Sequence, residues 1–442
     1  MKLILMALIC FNTYANIHLS PPNFDSYVFV DIKKITSDIQ VDFQNKEVIA
    51  TTTIEFENFQ SGKPIFDLVP DAIQTEINGI TVDLPEISSP DGETKFRAVD
   101  KSLPAGNHRL MIKNKITENL NFTWWTGHLN MAFWMTDLND RGYLENYIPT
   151  NLEFDQFELE LNVELGSEKV NEHELFTNGE LRTTPTGFHV KYPDYFTSSS
   201  LYFHLAKKDK FEKKNLSFTS MNGKVIPITI YSSNNSNVRS AETETLAVLS
   251  ELEGIFGAWS HPSLVVYVAG SGGMEYAGAT RTSLSALGHE LIHSYFARGV
   301  MPVRGNSGWI DEAIASWRDK GYQYNPSTGF YTTSMAAHSV YRRNTDYRAY
   351  NEGAKFMAYL NYQLSDQGGL KTFLKDVYSN YKHTSITTSD FKKFLENFSG
   401  LDFTTDFARY ILGQRKGHAK HEHVEENPYH PRLSKQDYLD LL

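Results

Sequence analysis

The chain has 442 residues and a formal net charge of −11, with 40% hydrophobic and 21% charged residues. This composition is typical of a folded globular protein and excludes a disordered or collagen-like chain. The length predicts two or three domains, each large enough to bury its own core. The acidic balance argues against a nucleic-acid partner, because such proteins have a basic footprint, and it offers no polybasic membrane anchor.

The first fifteen residues have the pattern of an export signal. Lys2 precedes the short apolar run LILMALICF, and Thr13 and Ala15 supply small residues at a cleavage site. Cys10 is the only cysteine, so cleavage after Ala15 would leave a mature chain without disulfides or thiol chemistry. No later apolar run approaches the roughly eighteen residues that a membrane span needs. We therefore expect a signal peptide over residues 1–15 and an exported protein, periplasmic or secreted, without a membrane span.

Residues 16–210 show the alternation of apolar and polar residues that is typical of β-strands. Five segments have this pattern: YVFVDIKKI, EVIATTTIEFENF, HRLMIKNKI, QFELELNVEL and GFHVKY. Strands with one buried face and one solvated face are typical of antiparallel sheets. The sequence therefore predicts an N-terminal domain of antiparallel β-sheet over residues 16–210.

The pattern changes after residue 210. The run KVIPITIYS precedes a predicted helix over 237–257, and PSLVVYVAG has the pattern of a compact buried strand. Further helices are predicted over 281–298, 309–319, 351–365 and 369–381, and from about Ser389 onward. We therefore predict an α+β protein in which a mainly helical catalytic domain over 211–413 follows the β domain. The polar tail over 414–442 contains several histidines, and a solvated terminus explains them better than a metal site does.

The segment from His289 to His293 is an HExxH motif within an amphipathic helical pattern. Residues four apart on a helix share one face, so the two imidazoles can bind one Zn²⁺. Glu290 then lies beside the metal rather than against it, where it can hold and deprotonate a water molecule. A chain with 15 histidines can contain such a motif by chance, as two structural histidines on a helix, so a third ligand decides the interpretation.

Glu312 is the candidate third ligand. It begins a second helical pattern, and eighteen residues separate it from His293. A loop of that length lets the second helix return against the first and present a carboxylate. Taken alone, Glu312 could equally be an exposed helix residue. Two histidines and one glutamate leave one coordination position open, which is the pattern of catalytic zinc sites. The sequence therefore predicts one catalytic Zn²⁺ per chain.

These residues resemble the gluzincin aminopeptidases, the family of aminopeptidase N and leukotriene hydrolase. In that family an HExxH, eighteen residues and a glutamate form the zinc site. A second family signature, GAMEN, lies at the end of a β-strand. Here the strand VVYVAG leads into Gly272-Gly273-Met274-Glu275-Tyr276, which matches GAMEN at its glycine, methionine and glutamate. The resemblance implies that Gly272, Gly273, Met274 and Glu275 bind substrate, with Glu275 on its free α-amine.

A third element resembles the family's catalytic tyrosine, which is followed by x-Lys-Gly-Ala at the start of a helix. Tyr350 occupies the tyrosine position, although the lysine is replaced by Glu352. The resemblance implies that Tyr350 donates a hydrogen bond to the oxyanion of the reaction. Tyr341 and Tyr347 are the alternatives in the same segment.

The resemblance covers about residues 20–410 and implies a thermolysin-like catalytic domain in a shortened form of the family, without its C-terminal helical domain. The function that it implies is a zinc-dependent aminopeptidase that hydrolyses the N-terminal residue of peptides. Two alternatives remain open: a zinc endopeptidase or selective processing peptidase on the same scaffold, and a non-catalytic peptide-binding protein. In each case the partner is a peptide, and the oligomeric state stays open.

Overall fold

A computed structural model of the chain describes residues 20–123, 127–303, 305–336, 339–342 and 344–414. The predicted signal peptide and the tail beyond Gln414 lie outside these residues, so export stays a prediction. Among the helices that the structure describes, none has the length and apolar character needed to cross a bilayer.

The described residues of the first half of the chain form three sheets. Its strands are β1 (Tyr27–Phe29), β2 (Asp31–Asp42), β3 (Glu47–Asn58), β4 (Lys63–Phe66), β5 (Ala72–Ile77), β6 (Ile80–Thr81), β7 (Glu86–Ser88), β8 (Lys95–Ala98), β9 (Gly106–Lys115), β10 (Leu120–Phe122), β11 (Leu129–Ala132), β12 (Glu158–Glu164), β13 (His173–Thr177), β14 (Glu180–Thr183), β15 (Gly187–Lys191) and β16 (Phe203–Lys207). The large sheet has the strand order β14-β15-β12-β2-β3-β9-β5-β6, and the two smaller sheets have the orders β1-β4-β8-β7 and β10-β11-β16-β13.

Strands β2 and β3 show why this half folds as a sheet. Along β2, Ile35, Ser37 and Ile39 are all buried, and the residues between them are more exposed or face the other side. Ser37 pairs with Thr52 of β3, and their hydroxyl oxygens lie 2.9 Å apart, so even the polar members of this face are satisfied. The predicted β-rich first half is confirmed.

The prediction of a purely antiparallel domain is wrong in two places. Strand β12 pairs with β2 in parallel, and so does β1 with β4. A hairpin can join only antiparallel neighbours, whereas β12 reaches β2 after the whole segment between residues 43 and 157 has formed other strands. The direction of such a distant partner leaves no trace in the alternation of apolar and polar residues.

In the residues that the structure describes, the second half combines seven α-helices with a five-stranded sheet. Its elements are β17 (Glu212–Thr219), β18 (Val225–Ser232), α1 (Asn235–Phe256), β19 (Leu264–Val268), β20 (Gly273–Tyr276), β21 (Ala279–Thr282), α2 (Leu287–His293), β22 (Val300–Pro302), α3 (Trp309–Asp319), α4 (Arg348–Gln363), α5 (Gly369–Tyr381), β23 (Thr384–Ile386), α6 (Thr388–Ser399) and α7 (Thr404–Tyr410). The sheet order is β17-β18-β19-β21-β20, and β22 pairs with β23. The expectation of a mainly helical domain is therefore only partly met.

The predicted helix over 281–298 is wrong at both ends. Its first residues belong to β21, which pairs with both β19 and β20. Ser283 then accepts a hydrogen bond from the Ala286 N–H and begins a 3₁₀ turn, so α2 starts only at Leu287 and ends at His293. The strand pairing and the turn leave a helix just long enough to contain the HExxH motif. By contrast, α6 begins where the hydroxyl residues predicted it, with a capping box between Thr387 and Asp390.

Buried side chains from the two halves share common clusters. The largest cluster of the first half also contains Tyr231, Met274 and Tyr276 from the second half. A smaller cluster joins Phe29 of β1 to Tyr341. The domain boundary near residue 210 stays a prediction, since the buried packing continues across it.

His261 links the two halves through buried hydrogen bonds. Its Nε2 donates to the carbonyl oxygen of Ser294, 2.8 Å away and directly after α2. Because a carbonyl can only accept, Nε2 has the proton, and Nδ1 accepts from the Tyr195 hydroxyl at 3.0 Å. Burial first, and the neighbouring His383 second, lower the pKa of His261 to about 3.

This lowered pKa predicts a loss of stability in acid. The unfolded chain takes up a proton at His261 below a pH of about 6.5, whereas the folded chain does so only near pH 3, so the free energy of unfolding falls as the pH drops through this window. His261→Gln removes the titrating group. Between pH 6.5 and 4.5, its free energy of unfolding should therefore fall by about 2 kcal/mol less than that of the wild type. Urea unfolding at the two pH values measures the difference, and identical losses in both proteins would contradict it.

Candidate functional site

Helices α2 and α3 bring the three predicted metal ligands together. His289 Nε2 lies 3.1 Å from Glu312 Oε2, and His293 Nε2 lies 3.7 Å from the same oxygen. His293 and Glu312 are almost fully buried, and His289 is partly exposed. Two successive turns of α2 therefore present both imidazoles to one carboxylate at the start of α3.

These separations fit a zinc ion. Ligand bonds of 2.0–2.2 Å in a tetrahedron place neighbouring donor atoms about 3.3 Å apart. The two measured distances, 3.1 and 3.7 Å, bracket this value. Two imidazoles and one carboxylate are also the donor set of catalytic zinc sites with an open fourth position. His289, His293 and Glu312 would hold the metal.

Asp319 orients the first histidine. Its carboxylate accepts a hydrogen bond from His289 Nδ1 at 2.6 Å, which leaves Nε2 as the nitrogen that faces Glu312. Burial lowers the pKa of His289, but the hydrogen bonds with Asp319 and Glu312 outweigh it and raise that pKa to about 11. The two carboxylates thus favour positive charge at this position. Asp319 was not predicted from the sequence. It lies two helical turns after Glu312 on α3, and this spacing places both carboxylates on one face of the helix.

Glu290 is buried beside the ligands and packs against the GAMEN-like segment. A Cβ atom at Gly273 would lie only 2.1 Å from Glu290 Oε1, so a side chain at that position would displace the carboxylate. Burial, together with the negative charges of Glu275 and Glu312, raises the pKa of Glu290 well above its usual range. The segment therefore shapes the space in which the candidate base lies.

Glu275 lies on β20 and faces the same site. Its carboxylate, the His293 ring and the Asp311 carboxylate each offer an atom within 4.8 Å of the other two. Glu275 is buried, and its Oε1 accepts a hydrogen bond from Arg298 Nη2 at 2.8 Å. Of the neighbouring GAMEN-like residues, Met274 is buried, and Gly272 has a φ of 74°, which favours glycine.

Tyr350 lies at the candidate metal site, and its two alternatives do not. Its hydroxyl donates to Glu312 Oε1 at 2.9 Å from the first turn of α4. Burial, and then the charge of Glu312, raise the pKa of Tyr350, so the phenol keeps its proton. Tyr347 is 77% exposed, and the Tyr341 hydroxyl donates to the Pro22 carbonyl in another cluster.

A small acidic cavity opens beside Glu275. Asp137, Glu153 and Asp311 also line it, and Arg298 is the one cation among its described lining residues. Burial, together with the charges of Glu312 and Glu275, raises the pKa of Asp311 well above its usual range. This cavity favours a positively charged group.

Comparisons with known proteins were made by sequence and by structure. No protein-family model matches the chain, and neither does any curated protein sequence. Among solved structures, aminopeptidase A of Legionella pneumophila in complex with aspartic acid matches with a TM-score of 0.66 at 14% identity, over 89% of this chain and 50% of that one. An M1 zinc metallopeptidase of Deinococcus radiodurans bound to a Tyr-Ser-Ala substrate matches with a TM-score of 0.60 at 14% identity, over 84% of this chain and 92% of that one. Yeast LTA4 hydrolase matches with a TM-score of 0.59 at 13% identity, over 88% and 69%.

The chain has the fold of the M1 zinc metallopeptidases. It spans half the length of the Legionella enzyme and nearly all of the Deinococcus one. The resemblance to gluzincin aminopeptidases that the motifs indicated is thus confirmed for the fold. In this fold β20 and the two helices that contain the candidate metal ligands meet at one site, so motifs that are separate in sequence become neighbours.

Sequence reasoning also missed the charged residues around Glu275 on this M1 fold. Arg298 follows α2 on a loop, whereas Glu153 and Asp137 come from the first half of the chain. Nothing in their local sequence distinguishes them from ordinary surface charges. Their proximity depends on the packing of the first half against the second.

Proposed function

We propose that the protein is a zinc-dependent aminopeptidase. The observation that supports it best is the position of Glu275, which has a carboxylate oxygen within 4.8 Å of the His293 ring while His293 itself lies 3.7 Å from Glu312. An amine anchor this close to the metal donors leaves room for about one residue between the substrate ammonium and the scissile bond. The acidic cavity beside it favours the same charge.

Each residue has a defined task in this proposal. Zn²⁺, when bound, polarises the scissile carbonyl and makes water a nucleophile at neutral pH. Glu290 takes the proton of that water and returns it to the leaving amine. Glu275 binds the substrate ammonium through a charge-assisted hydrogen bond, and Tyr350 donates a hydrogen bond to the oxygen on which negative charge develops.

The test of this function is a comparison of free and blocked N-termini. A decapeptide should lose residues one at a time from its free end, and its N-acetyl form should be cut at least about tenfold more slowly in kcat/KM, because acetylation removes the charge that Glu275 pairs with. Glu275→Ala should remove most of this difference. Mass spectrometry of timed digests, with and without chelator, measures both effects.

Asn162→Ala provides a control, because its amide pairs with Asp38 on the exposed face of the large sheet. Its free-to-acetylated ratio should equal that of the wild type. Equal internal cuts in both peptides would instead establish an endopeptidase on the same metal chemistry.

One observation favours that endopeptidase as the second candidate. Arg298 donates to Glu275 Oε1, so part of the hydrogen-bonding capacity of this carboxylate is used within the protein. If this ion pair neutralised Glu275, a free amine would bring no advantage, and longer peptides could cross the site.

A further inference from the structure

Arg298 connects the metal-ligand helix to the candidate amine anchor. Its backbone N–H donates to the His293 carbonyl at 2.9 Å, directly after α2. Arg298 is buried, with only 6% of its side chain exposed. The guanidinium donates from Nη2 to Glu275 at 2.8 Å, and from Nη1 to Ser199 at 2.7 Å and Glu153 at 3.2 Å.

We propose that Arg298 is a positioning residue that sets selectivity for a free N-terminus, an inference that rests on the aminopeptidase function proposed above. One side chain joins the end of the ligand helix to Glu275. The distance between the metal donors and the amine-binding carboxylate is thereby fixed, and that distance decides which peptide bond reaches the metal. A guanidinium is suited to this task because its donors form a rigid planar fork, which a lysine ammonium cannot reproduce.

The charges around Arg298 leave Glu275 able to bind an ammonium. Arg298 engages Oε1, and a carboxylate has a second oxygen, Oε2, that can accept from the substrate. Glu153 shares the same guanidinium, so the three side chains together have a formal charge of −1. An N-terminal ammonium supplies the matching positive charge, and an acetylated N-terminus does not.

A purely structural role for Arg298 is the competing explanation. Ser199 and Glu153 belong to the first half of the chain, so the same contacts also hold the two halves together. A structural role predicts equal losses for every substrate, whereas positioning of Glu275 predicts a loss confined to free N-termini. The two explanations therefore differ in a measurable ratio.

The experiment measures binding of a tripeptide and its N-acetyl form to the zinc-loaded full chain by calorimetry, in a Glu290→Gln background that prevents hydrolysis. Adding Arg298→Lys should reduce the preference for the free form at least about fivefold, while binding of the acetylated form changes less than about twofold. Adding Arg298→Lys to Glu275→Gln should change the preference no further, because the positioned carboxylate is then absent. Bound zinc should stay constant throughout.

The matched control is Arg141→Lys, which alters a half-buried arginine whose guanidinium donates to Asp67, Glu86 and the Leu68 carbonyl rather than to Glu275, and it should leave the preference unchanged. If Arg298→Lys kept the full preference for the free tripeptide, or weakened binding of the free and acetylated forms equally, the role of Arg298 would be overturned and the aminopeptidase function would still stand. Absence of any preference already in the Glu290→Gln protein would overturn the aminopeptidase function as well. Should Arg298→Lys fail to fold, Ser199→Ala removes the 2.7 Å bond to Nη1 and should lower the preference at least about twofold, and an unchanged ratio there would overturn the inference.

Discussion

Glu290→Gln should lower kcat by about 10²–10⁴-fold while the protein keeps its zinc. Glutamine has nearly the same shape as glutamate but cannot accept a proton from water at neutral pH. Glu290 is not one of the three converging donors, so the metal site stays complete. Hydrolysis of a fluorogenic amino-acid amide gives kcat, and elemental analysis of the same sample gives the zinc content.

His293→Ala is the companion variant, and it should lose the zinc that Glu290→Gln keeps. It removes a donor that is only 1% exposed, and two remaining ligands do not make a tetrahedral site, so zinc itself should be lost.

Activity within tenfold of the wild type in Glu290→Gln would mean that another group serves as the base. A wild-type protein that binds no zinc after reconstitution would remove the basis of the whole proposal.

The spacing of the motifs was enough to predict that the three candidate metal ligands converge, because it reflects local geometry. Residues four apart on a helix must share a face, and this rule alone brings His289 and His293 together. Eighteen residues then suffice for α3 to return against α2 and present Glu312. The strands of the first half were predictable for a similar reason, since alternation of burial is a property of each strand by itself.

The features that the sequence did not reveal depend on partners far along the chain. The parallel pairing of β12 with β2 depends on a distant segment. The late start of α2 depends on the pairing of β21 with β19, which the helical pattern of residues 281–298 does not indicate. Arg298 looks like an exposed loop residue in the sequence, yet it is buried because Glu275 and Glu153 arrive from two other elements. The same packing turns an acidic loop residue such as Asp137 into part of a cavity wall.

The position of Tyr350 has a consequence for how its role can be separated from that of Glu312. Its hydroxyl donates to Glu312 Oε1 at 2.9 Å, so Tyr350 contacts a candidate metal ligand in addition to its proposed role at the oxyanion. A change in this tyrosine can therefore act through the metal or through the oxyanion. Zinc affinity and turnover at saturating zinc distinguish the two routes.

Tyr350→Phe should reduce kcat at saturating zinc by about 10²–10³-fold, the scale of one lost oxyanion donor, with zinc affinity changed less than about tenfold. The reason is that the raised pKa of Tyr350 keeps its phenol protonated at neutral pH, so the wild-type hydroxyl can donate a hydrogen bond to the oxyanion. Tyr347→Phe is the matched control, because that side chain is 77% exposed, and its kinetics should be those of the wild type. If Tyr350→Phe instead weakened zinc binding and left kcat at saturating zinc unchanged, the hydroxyl would act only on Glu312, and the oxyanion donor would have to be another group.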